Sequence, residues 1–126
     1  MPQPTVAVVG ASSDRSKFGN KSVRAHQQQG YRVFPVNPKG GVIEGFDVYT
    51  SLRELPERPT RISVYLPPHL TLKLLEEVAE VGCDELFLNP GSESPEVLAR
   101  AAELGLEPIE ACSIVDVGMR PSQLPD

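Results

Sequence analysis

The stretch VAVVGASSDRSKFGN, Val6 to Asn20, has the pattern of a buried strand that enters a glycine turn and then a helix. The β-branched and nearly continuous apolar run Thr5–Val9 is typical of a strand covered on both faces, as in a parallel sheet. The G-x-G-x-x-G spacing of dinucleotide-binding turns is missing, because Ala11, Ser12 and a longer polar loop follow Gly10. The stretch therefore predicts a phosphate-binding turn of another kind.

Strand and helix patterns alternate through the rest of the chain. Further strands are expected at residues 31–36, 61–66, 85–88 and 106–111, and helices near 20–30, 70–81 and 95–104. Shorter elements are expected at 42–49 and 51–55, and the proline-rich tail from residue 120 is expected to fray. Pro35 lies inside the second strand, which indicates that the ladder ends early there or borders an irregular edge.

Residue types that favour helix ends mark the limits of the predicted helices. Asn20 and Ser94 can accept hydrogen bonds from a first helical turn and are the predicted N-caps. Gly30, Gly82 and Gly105 follow the apolar periodicity where a helix would end. The alternation predicts an α/β fold, namely a Rossmann-like, doubly wound and mainly parallel sheet of about five to six strands flanked by helices. We expect one domain over residues 1–126.

Composition excludes several classes of function. The 126 residues carry a net charge of −5, which argues against a nucleic-acid-binding surface. No apolar run approaches the roughly 20 residues of a membrane span, and no signal-peptide pattern is present, so we expect a cytoplasmic protein. The two cysteines, Cys83 and Cys112, lack C-x-x-C spacing and predict neither a zinc site nor a disulfide framework.

Four loops at the carboxyl ends of predicted strands carry residue types that suit a ligand site. Parallel doubly wound sheets bind ligands at this edge. Glycines let a phosphate approach backbone N–H groups, a helix N-terminus adds a partial positive charge, and Lys17 and Lys39 can supply full charges. The loops are Gly10-Ala11-Ser12, Asn37-Pro38-Lys39-Gly40, Leu66-Pro67-Pro68 and Asn89-Pro90-Gly91.

The second and third loops bear on the kind of nucleotide. An NAD site usually carries a carboxylate at the end of the second strand, where this chain has Asn37. Lys39 beside it favours a phosphate near the ribose, as in NADP or in the 3′-phosphate of coenzyme A. Pro67 and Pro68 form a rigid wall without N–H donors, which suits an adenine face or a pantetheine arm.

Taken in order, VAVVGAS, SKFGN, GYRVFPVNPKGG, SVYLPP and LFLNPG resemble the small CoA-binding proteins and the CoA-binding domain of the succinyl-CoA synthetase α subunit. The resemblance covers about Thr5 to Val115. It implies a Rossmann-like fold that binds coenzyme A or an acyl-CoA at the strand carboxyl ends. The cofactor-binding residues that it implies are Gly10, Ala11, Ser12, Lys17, Gly19, Asn20, Asn37, Pro38, Lys39, Leu66, Pro67, Pro68, Asn89, Pro90 and Gly91.

Two positions depart from the family pattern. Asn89 stands where many relatives carry Gln or Thr-Glu before the glycine. Cys112 matches a cysteine that often follows Asp-Arg in the family, whereas Glu110-Ala111 precedes it here, without a charge that would lower the pKa of the thiol. We favour a buried inert thiol at Cys112 over a mixed disulfide with CoA, and a structural role for Cys83.

No catalytic set stands out. The phosphohistidine loop of succinyl-CoA synthetase lies in a second domain, and neither His26 nor His69 replaces it. No Ser-His-Asp or Cys-His group, carboxylate pair or metal site can be assembled. We therefore expect a non-enzymatic CoA-binding module, and two alternatives stay open: an NADP-binding oxidoreductase or redox sensor, and the cofactor-binding subunit of a larger acyl-CoA synthetase. A homo-oligomer or a partner chain is open as well.

Overall fold

The computed structural model describes residues 3–126, which form a five-stranded sheet, a small hairpin and four α-helices. In chain order the elements are β1 (Thr5–Val9), α1 (Phe18–Gln28), β2 (Arg32–Val36), β3 (Val42–Ile43), β4 (Phe46–Asp47), β5 (Arg61–Val64), α2 (Pro68–Val81), β6 (Glu85–Leu88), α3 (Pro95–Glu103), β7 (Ile109–Glu110) and α4 (Ser113–Asp116), with 3₁₀ turns at Leu52–Glu54 and Pro121–Gln123.

All strands of the main sheet are parallel, in the order β2-β1-β5-β6-β7. The chain steps outward from β1 to β2 and then crosses back to β5, so the order of the strands reverses between β1 and β5. This is the switch point at which open parallel sheets leave a crevice. The predicted doubly wound α/β fold is confirmed.

The two faces of the sheet differ in chemistry. One face packs against α2 and α3 mainly through aliphatic side chains, among them Val64, Leu75, Leu88 and Val97. The other face packs against α1 and α4, where Val6, Val8 and Val23 form a smaller apolar cluster beside buried polar groups. Alternate strand residues point to opposite faces, so β5 sends Ile62 and Val64 to the first face and its polar residues to the second.

Backbone packs directly on backbone where α1 meets the end of β1. A Cβ on Gly19, in the first turn of α1, would overlap the carbonyl oxygen of Gly10. Gly10 itself has φ +88°, and a Cβ there would lie 2.5 Å from the carbonyl oxygen of Tyr65, just after β5. Only glycine therefore lets the helix, the turn and β5 approach this closely.

Most predicted helix limits are confirmed, but the start of α1 is not. Ser94 accepts a hydrogen bond from the Val97 N–H, and Gly30 adopts φ +89° beyond α1. The N-cap of α1 is Lys17, not Asn20, which is buried inside the helix. α2 also begins earlier than predicted, because Pro68 occupies a first-turn position where its missing N–H costs nothing.

The predicted fraying of the tail is wrong. Leu124 is fully buried against Ala25 and Ile114, and the Arg24 guanidinium donates to the Pro125 carbonyl oxygen at 2.7 Å. The short helix α4, which the sequence patterns do not predict, supplies Ile114 to this cluster. Burial of Leu124 against residues distant in the sequence thus orders the proline-rich tail, although its composition alone suggests disorder.

A buried arginine connects α4 to the sheet. The Arg61 guanidinium, on β5, pairs with Asp116 of α4 at 2.6 Å and with Glu85 of β6 at 3.1 Å. It also stacks on the Phe87 ring at 4.3 Å. Its Nη1 lies 3.5 Å from Nε2 of the buried His26, whose Nδ1 faces the Ser22 carbonyl oxygen at 2.8 Å. The imidazole is therefore held neutral beside a cation.

The contact of Gly19 with Gly10 predicts the sign of a stability change. In an unobstructed helix, Gly→Ala stabilises by about 0.5–1 kcal/mol. We expect Gly19→Ala instead to lower the free energy of unfolding by about 1–3 kcal/mol, because the backbone carbonyl cannot move aside. Urea denaturation measures the change, with Gln27→Ala on the exposed side of α1 as the control. A gain in stability from Gly19→Ala would contradict the close packing.

Burial, the largest influence on His26, lowers its pKa from 6.5 to about 4. The unfolded chain therefore binds the proton on His26 more tightly than the folded chain does. The contribution of neutral His26 to the free energy of unfolding is fully present above pH 6.5 and is lost as the pH falls toward 4. We expect His26 to account for a loss of about 2 kcal/mol between pH 7 and pH 5. Urea denaturation at the two pH values should show this loss in the wild type and in the exposed-site control His69→Gln. An equal loss in His26→Gln would assign it to other groups.

Candidate functional site

A cavity of about 600 Å³ opens at the carboxyl ends of β1, β2, β5 and β6. All four predicted loops contribute to it. The predicted residues that line it are Gly10, Ala11, Ser12, Lys17, Gly19, Asn37, Lys39, Leu66, Pro67, Pro90 and Gly91. Asn20, Pro38, Pro68 and Asn89 do not line it.

The first loop presents backbone N–H groups and a lysine to this cavity. α1 begins at the cavity wall, and within residues 3–126 the N–H groups of Phe18 and Gly19 donate to no acceptor. The partial positive charge of the helix N-terminus adds to the charge of the exposed Lys17 beside it. This end of the cavity can therefore bind an anion.

Asn20 and Arg24 support this loop from behind. The Asn20 Nδ2 donates to the Ser12 carbonyl oxygen at 2.9 Å, and its Oδ1 accepts from Arg24 Nε at 2.8 Å. Arg24 also donates to the Arg15 carbonyl oxygen at 3.0 Å. The Asn20 side chain thus holds the shape of the loop from outside the cavity, and its direct contact with a ligand stays a prediction.

The second loop is tied to the first by Asn37. Its Nδ2 donates to the Ala11 carbonyl oxygen at 2.8 Å, and its Oδ1 accepts from the backbone N–H of Lys39 at 2.9 Å. Lys39 is exposed and reaches over the cavity rim. Pro38 turns toward a neighbouring recess of about 210 Å³ instead.

Asn89 is buried beneath the fourth loop. Its Nδ2 donates to Ser63 Oγ and to the Val64 carbonyl oxygen, both at 2.9 Å, and its Oδ1 accepts from the Ser113 N–H at 2.8 Å. The amide therefore links β5, β6 and α4. Asn89 does not line the main cavity, where Pro90 and Gly91 stand for this loop, but it does line a smaller recess beside it, and its contact with the cofactor stays a prediction.

Sequence reasoning missed several lining residues, namely Ser16, Phe18, Tyr65 and Ser92. Phe18 is 56% exposed, an unusual fraction for a large apolar side chain at a cavity rim. Burial raises the pKa of Tyr65, whose hydroxyl lies 3.0 Å from Ser113 Oγ, so the phenol stays protonated. Tyr65 directly precedes Leu66, and counting one residue back from each predicted loop would have found it.

Two smaller recesses open beside the main cavity. The one of about 210 Å³ shares Gly10 and Leu66 with it and lies between β1 and α2 at the switch point. The other, of about 160 Å³, shares Phe18, Tyr65 and Pro90 with it and lies toward α4. The two recesses therefore adjoin the main cavity from either side.

The cysteines lie at opposite ends of neighbouring strands, Cys83 before β6 and Cys112 after β7. Burial raises the pKa of Cys83 to about 11, so this thiol, before β6, stays protonated, in agreement with a structural role. Cys112 is the N-cap residue of α4 and is half-buried, with its side chain at the recess of about 160 Å³. The expected burial of Cys112 is therefore only partial, and its inertness stays a prediction.

The main cavity is lined by cationic and neutral polar side chains together with apolar ones. Its lining residues include two lysines, serines, an amide and a phenol, but no histidine, cysteine or carboxylate. His69 is exposed on α2 outside it. Within residues 3–126 no three side chains of His, Cys, Asp or Glu come together as metal ligands would. None of the helices that these residues form combines the length and the hydrophobicity needed to span a bilayer.

Comparison with known families agrees with this geometry. The family model described as the CoA binding domain matches residues 4–118, which include every lining residue of the main cavity. The chain belongs to this family. The resemblance to small CoA-binding proteins is thereby confirmed.

The proteins similar to this chain include small proteins of similar length and much longer ligase subunits. A conserved hypothetical protein from Pyrococcus furiosus superposes with a TM-score of 0.82 at 34% identity, over 90% of this chain and 98% of that one. A Thermus thermophilus structure has a TM-score of 0.82 at 32% identity, over 90% and 87% of the two chains. Among curated proteins, the α subunit of an ADP-forming acetate–CoA ligase from P. furiosus is 34% identical over 84 residues. The match covers 62% of this chain but 18% of that subunit, so the chain spans less than a fifth of this curated relative.

The bonding of Asn89 predicts a stability defect. Asn89→Asp removes both donated bonds and sets a buried carboxylate oxygen against the Val64 carbonyl. We expect the free energy of unfolding to fall by at least about 2 kcal/mol. Thermal and urea denaturation test this, with the exposed Gln27→Glu as a control that should cost less than about 1 kcal/mol. If Asn89→Asp kept wild-type stability and lost only ligand affinity, the side chain would act on the ligand and not on the fold.

Proposed function

We propose that this member of the CoA-binding family binds coenzyme A or an acyl-CoA in the cavity at the strand carboxyl ends, without catalysing a reaction. The observation that carries the proposal is the position of two lysines and a free helix N-terminus in one cavity of about 600 Å³. In a chain of net charge −5, this is a local site for a polyanion.

The ligand's phosphates would lie at the β1 and β2 end of the cavity. The N–H groups of Phe18 and Gly19 and the Lys17 ammonium would hold the diphosphate, as helix N-termini hold phosphates elsewhere. Lys39, on the loop after β2, would pair with the 3′-phosphate of the ribose. The sequence offers no carboxylate after β2 for a free ribose diol, which disfavours NAD.

The recess of about 210 Å³ would receive the adenine ring. Its lining is largely apolar, with Val36, Leu52 and Leu70 facing Pro38 and Leu66. Leu70 is 39% exposed, and a flat ring on this surface would cover it. The recess adjoins the loop of Lys39, so adenine and the 3′-phosphate would be neighbours, as the covalent structure of coenzyme A requires.

The absence of acid–base groups from the cavity lining supports a binding role. The main cavity is lined by no His, Cys, Asp or Glu, and its one phenol is already bonded and is kept protonated by burial. A general base would have to come from elsewhere. The curated relatives include the α subunit of an acetate–CoA ligase, so a partner chain that brings the chemistry is the second form of the same proposal. A single domain and a cytoplasmic location stay predictions.

A matched pair of ligands tests the assignment of Lys39. We expect Lys39→Ala to weaken CoA binding about tenfold, or about 1.4 kcal/mol, and to leave dephospho-CoA binding unchanged. Lys17→Ala should weaken both ligands, because both carry the diphosphate. Lys21→Ala, on the same helix but outside the cavity, is the control. Isothermal titration calorimetry measures the dissociation constants.

Melting temperatures decide between ligand classes. Near 100 times its Kd, a true ligand adds about 2.7 kcal/mol of stability. A shift in melting temperature with NADP and none with CoA would overturn the proposal. Equal losses of CoA and dephospho-CoA in Lys39→Ala would overturn the 3′-phosphate assignment alone.

A further inference from the structure

The recess of about 160 Å³ lies at the far end of the rim from Lys39. Lys39 follows β2 at one edge of the sheet, and Cys112 follows β7 at the other. Four strand intervals of about 4.8 Å separate these edges, or about 19 Å. In coenzyme A the thiol is at the opposite end of a long arm from the 3′-phosphate. A molecule whose 3′-phosphate is at Lys39 would therefore extend its thiol toward Cys112.

We propose that this recess receives the acyl group of a short-chain acyl-CoA, an inference that rests on the proposed function. The recess shares Phe18, Tyr65 and Pro90 with the main cavity, so a thioester bound along the rim would bring its acyl group to it. When coenzyme A carries a free thiol, no hydrocarbon group fills the recess. A short acyl chain fills it.

The volume sets the length of the chain. At about 30 Å³ for each water-sized group, a recess of about 160 Å³ accommodates about five non-hydrogen atoms. An acetyl group has three such atoms and a butyryl group five, counted from the thioester carbonyl. An octanoyl group has nine and would have to turn out into solvent. The recess thus selects acyl groups of about two to four carbons.

The lining selects an uncharged chain. The residues around the recess are Phe18, Tyr65, Asn89, Pro90, Cys112 and Pro121, and none of them carries a positive charge. The Asn89 amide and the Tyr65 hydroxyl are already bonded to Ser63 and Ser113 beneath the recess. A dicarboxylic group such as succinyl would bring a carboxylate into this lining without a partner, at a large cost.

The walls of the recess are held in place by buried contacts. Cys112 starts α4, whose Asp116 pairs with the buried Arg61 at 2.6 Å. Pro121 belongs to the tail that the buried Leu124 anchors. Fixed walls discriminate between chain lengths, whereas a mobile wall would adjust to each of them.

Calorimetry in the presence of a reducing agent tests this inference on the full chain. For the wild type we expect butyryl-CoA to bind at least fivefold more tightly than CoA. Octanoyl-CoA and succinyl-CoA should each bind at least tenfold more weakly than butyryl-CoA. Equal affinities for CoA and all three thioesters would overturn the acyl recess but leave the proposed function intact. Failure of the wild type to bind CoA and every thioester would overturn the proposed function itself.

Two variants of residues that line the recess should change the preference for acyl chain length in opposite directions. Cys112→Leu narrows the recess, and we expect the ratio of the Kd for butyryl-CoA to that for CoA to rise at least tenfold. Cys83→Leu is the matched control at the amino end of β6, away from the recess, and should keep the wild-type ratio. Phe18→Ala opens the rim at an exposed side chain and should shift the preference toward octanoyl-CoA. Unchanged ratios in Cys112→Leu and Phe18→Ala would overturn the inference.

Discussion

The contact between the first turn of α1 and the carbonyl of Gly10 is the constraint on which the candidate site depends. Two backbones pack here with no side chain between them. The Tyr65 carbonyl oxygen also lies so close to Gly10 that no side chain fits at this position. The helix start is thereby fixed directly above the switch point of the sheet. The free N–H groups of the helix then face the same cavity as the loops after β2, β5 and β6.

The same constraint explains the unusual loop between β1 and α1. With only one glycine at the turn itself, the chain reaches the helix through a long polar excursion from Ser12 to Lys17. That excursion is held from behind by Asn20 and Arg24, so it presents Lys17 without relying on a fingerprint of closely spaced glycines. Gly19 performs the close packing that a glycine nearer the turn performs in dinucleotide-binding enzymes.

The two faces of the sheet have different tasks. The face under α2 and α3 is mainly apolar and supplies the conventional hydrophobic stability. The face under α1 and α4 contains buried polar groups, with Asn89 and Arg61 as their centres. These bonds are directional, so they position α4 and the loop after β6 more narrowly than apolar packing would. Elements that shape the ligand cavity are thus attached to the polar side.

Sequence reasoning predicted the fold and most of the cavity, because both depend on local signals. Apolar runs and glycines define β1, β5 and β6, and the carboxyl-end rule then brings the four loops together. What it did not predict are bonds that depend on how loops and elements meet in space. Asn20 is a good N-cap by type but bonds Ser12 and Arg24, and Asn89 has a turn sequence but bonds across three elements. The tail is ordered by Leu124 in a pocket that no local pattern describes.

The edges of the sheet carry a consequence for association between chains. Pro35, in the edge strand β2, has no N–H to offer, and Tyr49 already covers its carbonyl and the N–H of Asn37. The opposite edge strand, β7, is two residues long and runs at once into α4. An extra strand would find almost no ladder to extend at either side. Association by strand addition is therefore disfavoured at both edges of the main sheet, which leaves surfaces such as the helix faces and the ligand rim for contact with another subunit.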